Sequence, residues 1–179
     1  MLFQEMPVTR FVPLVVLLAP LGLAACTGSE APELSCPQVA VLQQASRMTQ
    51  YQGASTDIAN QTLDARITGV AGKCSPADKD MERVTFRIGF AATNGPASRL
   101  ASQTLPYFIA ITQGDRIISK RVFPVNFDFR NGAEQAVAST TPIRLMFPRA
   151  ARSAEQQVLV GFQMNQNEVD DATGGAAPR

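Results

Sequence analysis

Three cysteines, 15 acidic side chains and six methionines are the groups able to carry chemistry in this chain of 179 residues, and no histidine assists them. Without imidazole there is no Ser-His-Asp or Cys-His arrangement, no His-based zinc site and no use of the commonest general base. Asp78, Asp80 and Glu82 alternate as the opening of a calcium loop does, but the glycine and the distant bidentate glutamate of an EF-hand are missing, so they read as a solvated turn. Met48, Met81, Met146 and Met164 include thioethers of the kind that bind Cu(I), yet with no Met-x-Met cluster they read as core filling. The glycines follow no phosphate-cradling spacing. The expectation is no catalytic residue, no metal and no cofactor. Asp and Glu pairs that meet only in space leave one alternative, a carboxylate-dependent hydrolase or sugar-binding module.

The remaining chemistry begins at the amino terminus. Arg10 precedes an apolar run, Phe11 to Leu23, of thirteen residues, shorter than the ~20 of a transmembrane helix and interrupted by Pro13 and Pro20. Small residues follow it, the layout of a cleaved secretory signal. Met1 and Met6 both suit a start, Met6 giving the cleaner basic n-region. Leu23-Ala24-Ala25-Cys26 resembles the bacterial lipobox. That resemblance implies cleavage before Cys26, a diacylglyceryl group on its sulfur and a third acyl chain on the new amino terminus. Three chains would hold the protein durably, since each buried methylene contributes about 0.8 kcal/mol. In many lipoproteins an aspartate after the cysteine retains the chain in the inner membrane; Thr27 stands here. The inner leaflet of the outer membrane, facing the periplasm, is therefore the expected location.

With Cys26 assigned to lipid, Cys36 and Cys74 remain, and in an oxidising periplasm a lone pair has one connectivity. The expected bridge is a structural staple, because no Cys-x-x-Cys redox pair is present. It also removes thiolate metal sites from consideration.

Between Cys36 and Met164 the dominant signal is strand-like alternation. Val84, Phe86, Ile88, Phe90 and Ala92 share one face of a segment whose other face carries Arg83, Thr85 and Arg87. Leu63, Ala65 and Ile67 alternate in the same way, as do Val158, Val160, Phe162 and Met164. Residues 107–112 and 116–123 flank Gln113-Gly114-Asp115 and should pair as a hairpin. Phe123, Val125, Phe127 and Phe129 continue the alternation, with Pro124 placing the stretch at an edge or a bend. Asn131-Gly132 reads as a turn. Residues 134–147 read as one bent strand interrupted at Pro142. Residues 37–51 suit an opening strand or a short helix, and strand is favoured. About seven strands with no strong helical pattern predict an all-β fold, a two-sheet antiparallel sandwich of immunoglobulin or fibronectin architecture; a small closed barrel is the alternative.

The domain organisation that follows is a cleaved signal over 1–25, a lipidated cysteine and polar tether over 26–35, the sandwich over 36–164 and a disordered tail over 165–179. Formal net charge is +1, so nothing electrostatic points to nucleic acid. The candidate binding loop joins two well-patterned strands through Asn94, Gly95, Pro96 and Arg99 toward Tyr107, although a plain sheet-to-sheet crossover is the simpler and favoured explanation of it. Cys36-Pro37, Ala71-Gly72-Lys73-Cys74, Phe86 to Ala97, Pro106-Tyr107-Phe108 and Val160-Gly161-Phe162-Gln163 are similar to segments of a set of proteobacterial lipoproteins without an established activity. The resemblance implies a lipidated envelope protein and transfers no catalytic residue. The functional expectation is a non-enzymatic binding or structural module whose partners are the bilayer, through acylated Cys26, and another envelope protein.

Overall fold

The computed structural model describes residues 36–98, 100–149 and 155–172. The signal, Cys26, the tether, Arg99 and residues 173–179 lie outside them. The described residues form a two-sheet β-sandwich, not a closed barrel. Nine strands are present among them: β1 (Gln38–Val41), β2 (Arg47–Tyr51), β3 (Gln61–Asp78), β4 (Met81–Asn94), β5 (Ser102–Gln113), β6 (Arg116–Asp128), β7 (Gln135–Ser139), β8 (Ile143–Pro148) and β9 (Gln156–Phe162). One sheet runs β1-β9-β5-β6; the other runs β2-β3-β4-β7, with β8 also paired to β4.

Two expected strands prove to be two each. Residues 37–51 contain both strand and helix: β1 pairs with β9 in the first sheet, a 3-10 turn at Gln43–Ala45 redirects the chain, and β2 joins the second sheet. The β1–β9 pair is parallel, so the sandwich is not wholly antiparallel. Residues 134–147 break as expected around Pro142, and the halves pair with successive stretches of β4. At the gap both main-chain groups of Ile88 stay satisfied, because Thr140 Oγ1 accepts from the Ile88 N–H at 3.1 Å and the Thr140 N–H donates to Ile88 O at 3.0 Å.

Alternation puts the expected residues inside. Val84, Phe86, Ile88, Phe90 and Ala92 of β4 are all buried, as are Leu63, Ala65 and Ile67 of β3 and Val158, Val160 and Phe162 of β9. Phe90 joins the sheets: its ring lies 5.2 Å from that of Tyr107, 5.9 Å from Phe162 and 6.5 Å from Phe127, the last edge-on. Cys36 and Cys74 are bridged with Cα atoms 6.2 Å apart, tying the entrance to β1 to the far half of β3. In the β5–β6 hairpin Gln113 pairs with Arg116 across Gly114-Asp115, and Gly114 takes φ +56°, the glycine-first turn that suits the twist of a hairpin.

The expected disordered tail is corrected over its first residues. Gln166–Ala172 form helix α1. Asn165 Oδ1 accepts from the Glu168 N–H at 3.0 Å, while Glu168 Oε2 accepts from the Asn165 N–H at 2.8 Å. This reciprocal capping satisfies two amides that a helix start otherwise leaves open.

Candidate functional site

The segment singled out in the sequence is the crossover between the sheets, and its polar residues are engaged in holding it. Asn94 ends β4 and Ser102 begins β5. The Gly95 N–H donates to Thr62 O at 2.9 Å, the Ala97 N–H to Gln61 O at 3.0 Å and the Ser98 N–H to Gly95 O at 3.0 Å. A Cβ on Gly95 would collide with the Gln61 carbonyl, so only glycine permits this approach. Ser98 Oγ donates to Asn94 Oδ1 at 3.1 Å, and Asn94 Nδ2 donates to Leu100 O at 3.2 Å. Asn94, Gly95 and Pro96 do come together beside a cleft of 530 Å³ that Leu100, Phe129 and Glu134 help to line. Tyr107 does not join them. It is 5% exposed, stacked on Phe123 with ring centroids 5.7 Å apart, and burial raises its phenol above the ordinary value of 10.0. Its place is the core.

The acidic turn resolves similarly. Asp78 pairs with Met81 across Lys79-Asp80, the tip of the β3–β4 hairpin, and Asp78 and Asp80 are both exposed. Glu82 turns inward and is fully buried. Arg149 Nε stands 3.8 Å from its Oε1. The Glu82 carboxylate and the sulfurs of Cys36 and Cys74 lie within 4.8 Å of one another, the sole cluster of three such groups among the described residues. Sulfurs committed to a disulfide offer no thiolate, so this cluster is packing around the staple. Three clefts have an acidic lining with a single described carboxylate each: Glu134 beside the crossover, Glu168 near α1 and Asp64 on the outer side of β3.

A surface that sequence reasoning did not single out lies on the first sheet. On its outer face, Phe108 and Ala110 of β5 pack with Ala45, Leu42 and Met164 as a small second apolar cluster. A groove of 310 Å³ opens there, lined among others by Leu42, Phe108, Ile117, Met164 and Val169, with Lys120 as its one charged lining residue among the described residues. Lys120 Nζ sits 4.5 Å from the centre of the Phe108 ring.

Beside this groove runs β6, whose only strand partner among the described residues is β5. From Arg116 to Val122 every residue is exposed, including Ile117 at 60%, Ile118 at 48% and Val122 at 51%. Arg116, Lys120 and Arg121 have no carboxylate within 4.0 Å among the described residues. The cations occupy both sides of the strand. Lys120 lies opposite Ala110 on the outer side, and Arg121 opposite Ile109 on the inward side, where the second sheet does not cover it. The signal in the sequence was Ile117-Ile118, two adjacent large apolar residues set among three cations, which breaks the clean alternation of a half-buried strand.

The main chain of β6 can be oriented from one bond. The Gln163 N–H donates to Pro106 O at 2.9 Å, so the polar main-chain groups of Pro106 face β9 rather than β6. Pro106 stands opposite Pro124, and the register is regular from there to Ile111 opposite Ser119. Pro124, Val122 and Lys120 therefore turn their main-chain groups away from β5, toward the open edge. Val122 and Lys120 offer an N–H and a C=O each; Pro124 offers no donor and closes the usable edge at that end.

No protein-family model, curated protein or solved structure matches the chain, so these residues are read on their own geometry.

Proposed function

We propose that this protein is a lipid-anchored, periplasm-facing envelope lipoprotein whose sandwich is a non-enzymatic binding module, and that the free edge of β6 is where it engages another envelope protein. The observation that carries the reading is the Arg116–Val122 stretch, exposed at every residue, with two isoleucines and three cations, on a strand whose outer hydrogen-bonding edge has no strand partner among the described residues. Natural sandwiches blunt such edges with charge and keep large apolar side chains off them. Here the charges are present and the apolar side chains remain. The anchor rests on Leu23-Ala24-Ala25-Cys26 and on the short, proline-interrupted apolar run before it. From Cys26 to Cys36 an extended chain reaches at most about 35 Å, which keeps the domain close to the bilayer.

Two measurements test the reading. Cys26→Ala should move the protein from the membrane fraction to the soluble periplasmic fraction; persistence in membranes would mean that Cys26 is not the anchor. Crosslinking in intact cells should recover one recurrent envelope partner, and a spread of random neighbours would overturn the binding module.

A further inference from the structure

Resting on that reading, we infer that the partner contributes an acidic, extended segment that adds to the first sheet as a strand alongside β6. Three observations converge on this occupant. The edge presents outward N–H and C=O groups at Lys120 and Val122, alternating at the spacing that a peptide main chain complements. Arg116, Lys120 and Arg121 supply three positive charges with no acidic partner among the described residues, which selects for carboxylates on the incoming strand. The cations lie on both sides of the sheet. A membrane approaches from one side, whereas a strand in line with the sheet meets both.

The same geometry argues against a second copy of this chain in that position. Antiparallel pairing of two β6 edges about Ser119 would gather two sets of Arg116, Lys120 and Arg121 along one seam, and like charges that close are repulsive. It also bounds the segment. Pro124 cannot donate to an added strand, and the hairpin turn at Gly114-Asp115 ends the other side, so the usable edge is the stretch from Arg116 to Phe123. Apolar side chains of the incoming strand would lie beside Ile117 and Val122, continuous with the groove around Phe108.

The test uses the Cys26→Ala protein, soluble without detergent once the anchor is gone, and a fluorescent decapeptide of alternating Glu and Val, compared with one of alternating Lys and Val and with phosphatidylglycerol vesicles. The Glu-Val peptide should bind and slow amide exchange at Lys120 and Val122; the Lys-Val peptide should bind at least about tenfold more weakly. Val122→Pro removes an outward donor while leaving the β5 ladder intact, and should weaken binding about tenfold. Lys120→Glu with Arg121→Glu should abolish it, and because both residues are exposed the thermal midpoint should hold. Undiminished binding by Val122→Pro would overturn strand addition. Vesicle binding without peptide binding would overturn the acidic strand in favour of a lipid surface. A recurrent crosslinked partner on β6 together with no peptide binding would overturn this inference while leaving the binding module in place.

Discussion

Tyr107 illustrates how a side chain's role is decided by the side of the strand it occupies. In β5 it shares the inward side with Leu105 and Ile109, so its ring packs on Phe90 and Phe123 instead of facing the crossover. Burial holds the phenol above its ordinary value of 10.0. A raised folded-state value means that the unfolded chain ionises first. The contribution of this group is thus fully present below pH 10 and is lost as pH rises through the folded value. Tyr107→Phe should therefore leave stability unchanged between pH 7 and about 9 relative to its own wild-type offset, and flatten the decline above pH 10. Urea titrations of both proteins across that range check this, and parallel declines above pH 10 would contradict it. At this scale the sequence was legible where alternation was strict, as for Val84 to Ala92. It misled for Tyr107, because proximity to a loop in the chain says nothing about which face a side chain takes. Asn94 and Ser98 look like recognition groups in sequence, yet their hydrogen bonds are used within the crossover.

Among the elements, long strands declared themselves and short ones did not. β4 carries five inward apolar residues in perfect alternation, while β1 has four residues in all and shares its segment with a 3-10 turn and β2. Helix α1 was missed because the reading sought apolar spacing; its signal is the capping pair three residues apart, Asn165 and Glu168. The turn glycine at Gly114 and the break at Pro142 were readable because their backbone demands are local. Pro124 pointed to an edge or a bend, and β6 is an edge strand, but the exposure of the whole Arg116–Val122 stretch depends on the order of the strands and was not legible. The short β1 depends on the bridge that enters it. Replacing Cys36 and Cys74 by alanine, which frees a loop with a separation of 38 residues, should cost about 3–4 kcal/mol in urea titrations. Amide exchange should accelerate first in β1, where four residues pair only with β9. A loss below about 1 kcal/mol, or exchange that rises uniformly, would show that the staple does not hold this strand.

For the whole molecule, the sandwich places its aromatic junction around Phe90 between the sheets, and among the described residues β1 and β6 are the edge strands of the first sheet. The second sheet covers its long central strand with β7 and β8, end to end. Along β6 exposed cations and large apolar side chains share one strand edge, and the proposed anchor brings it to envelope partners. Exposure alone does not make a binding surface, and Val137, 83% exposed on β7, supplies the internal control. The most direct measurement is site-specific photo-crosslinking in intact cells, with the photoreactive amino acid replacing either Ile118 or Val137. The account predicts one recurrent adduct from position 118 and none from position 137; recurrent adducts from both, or from 137 alone, would contradict it.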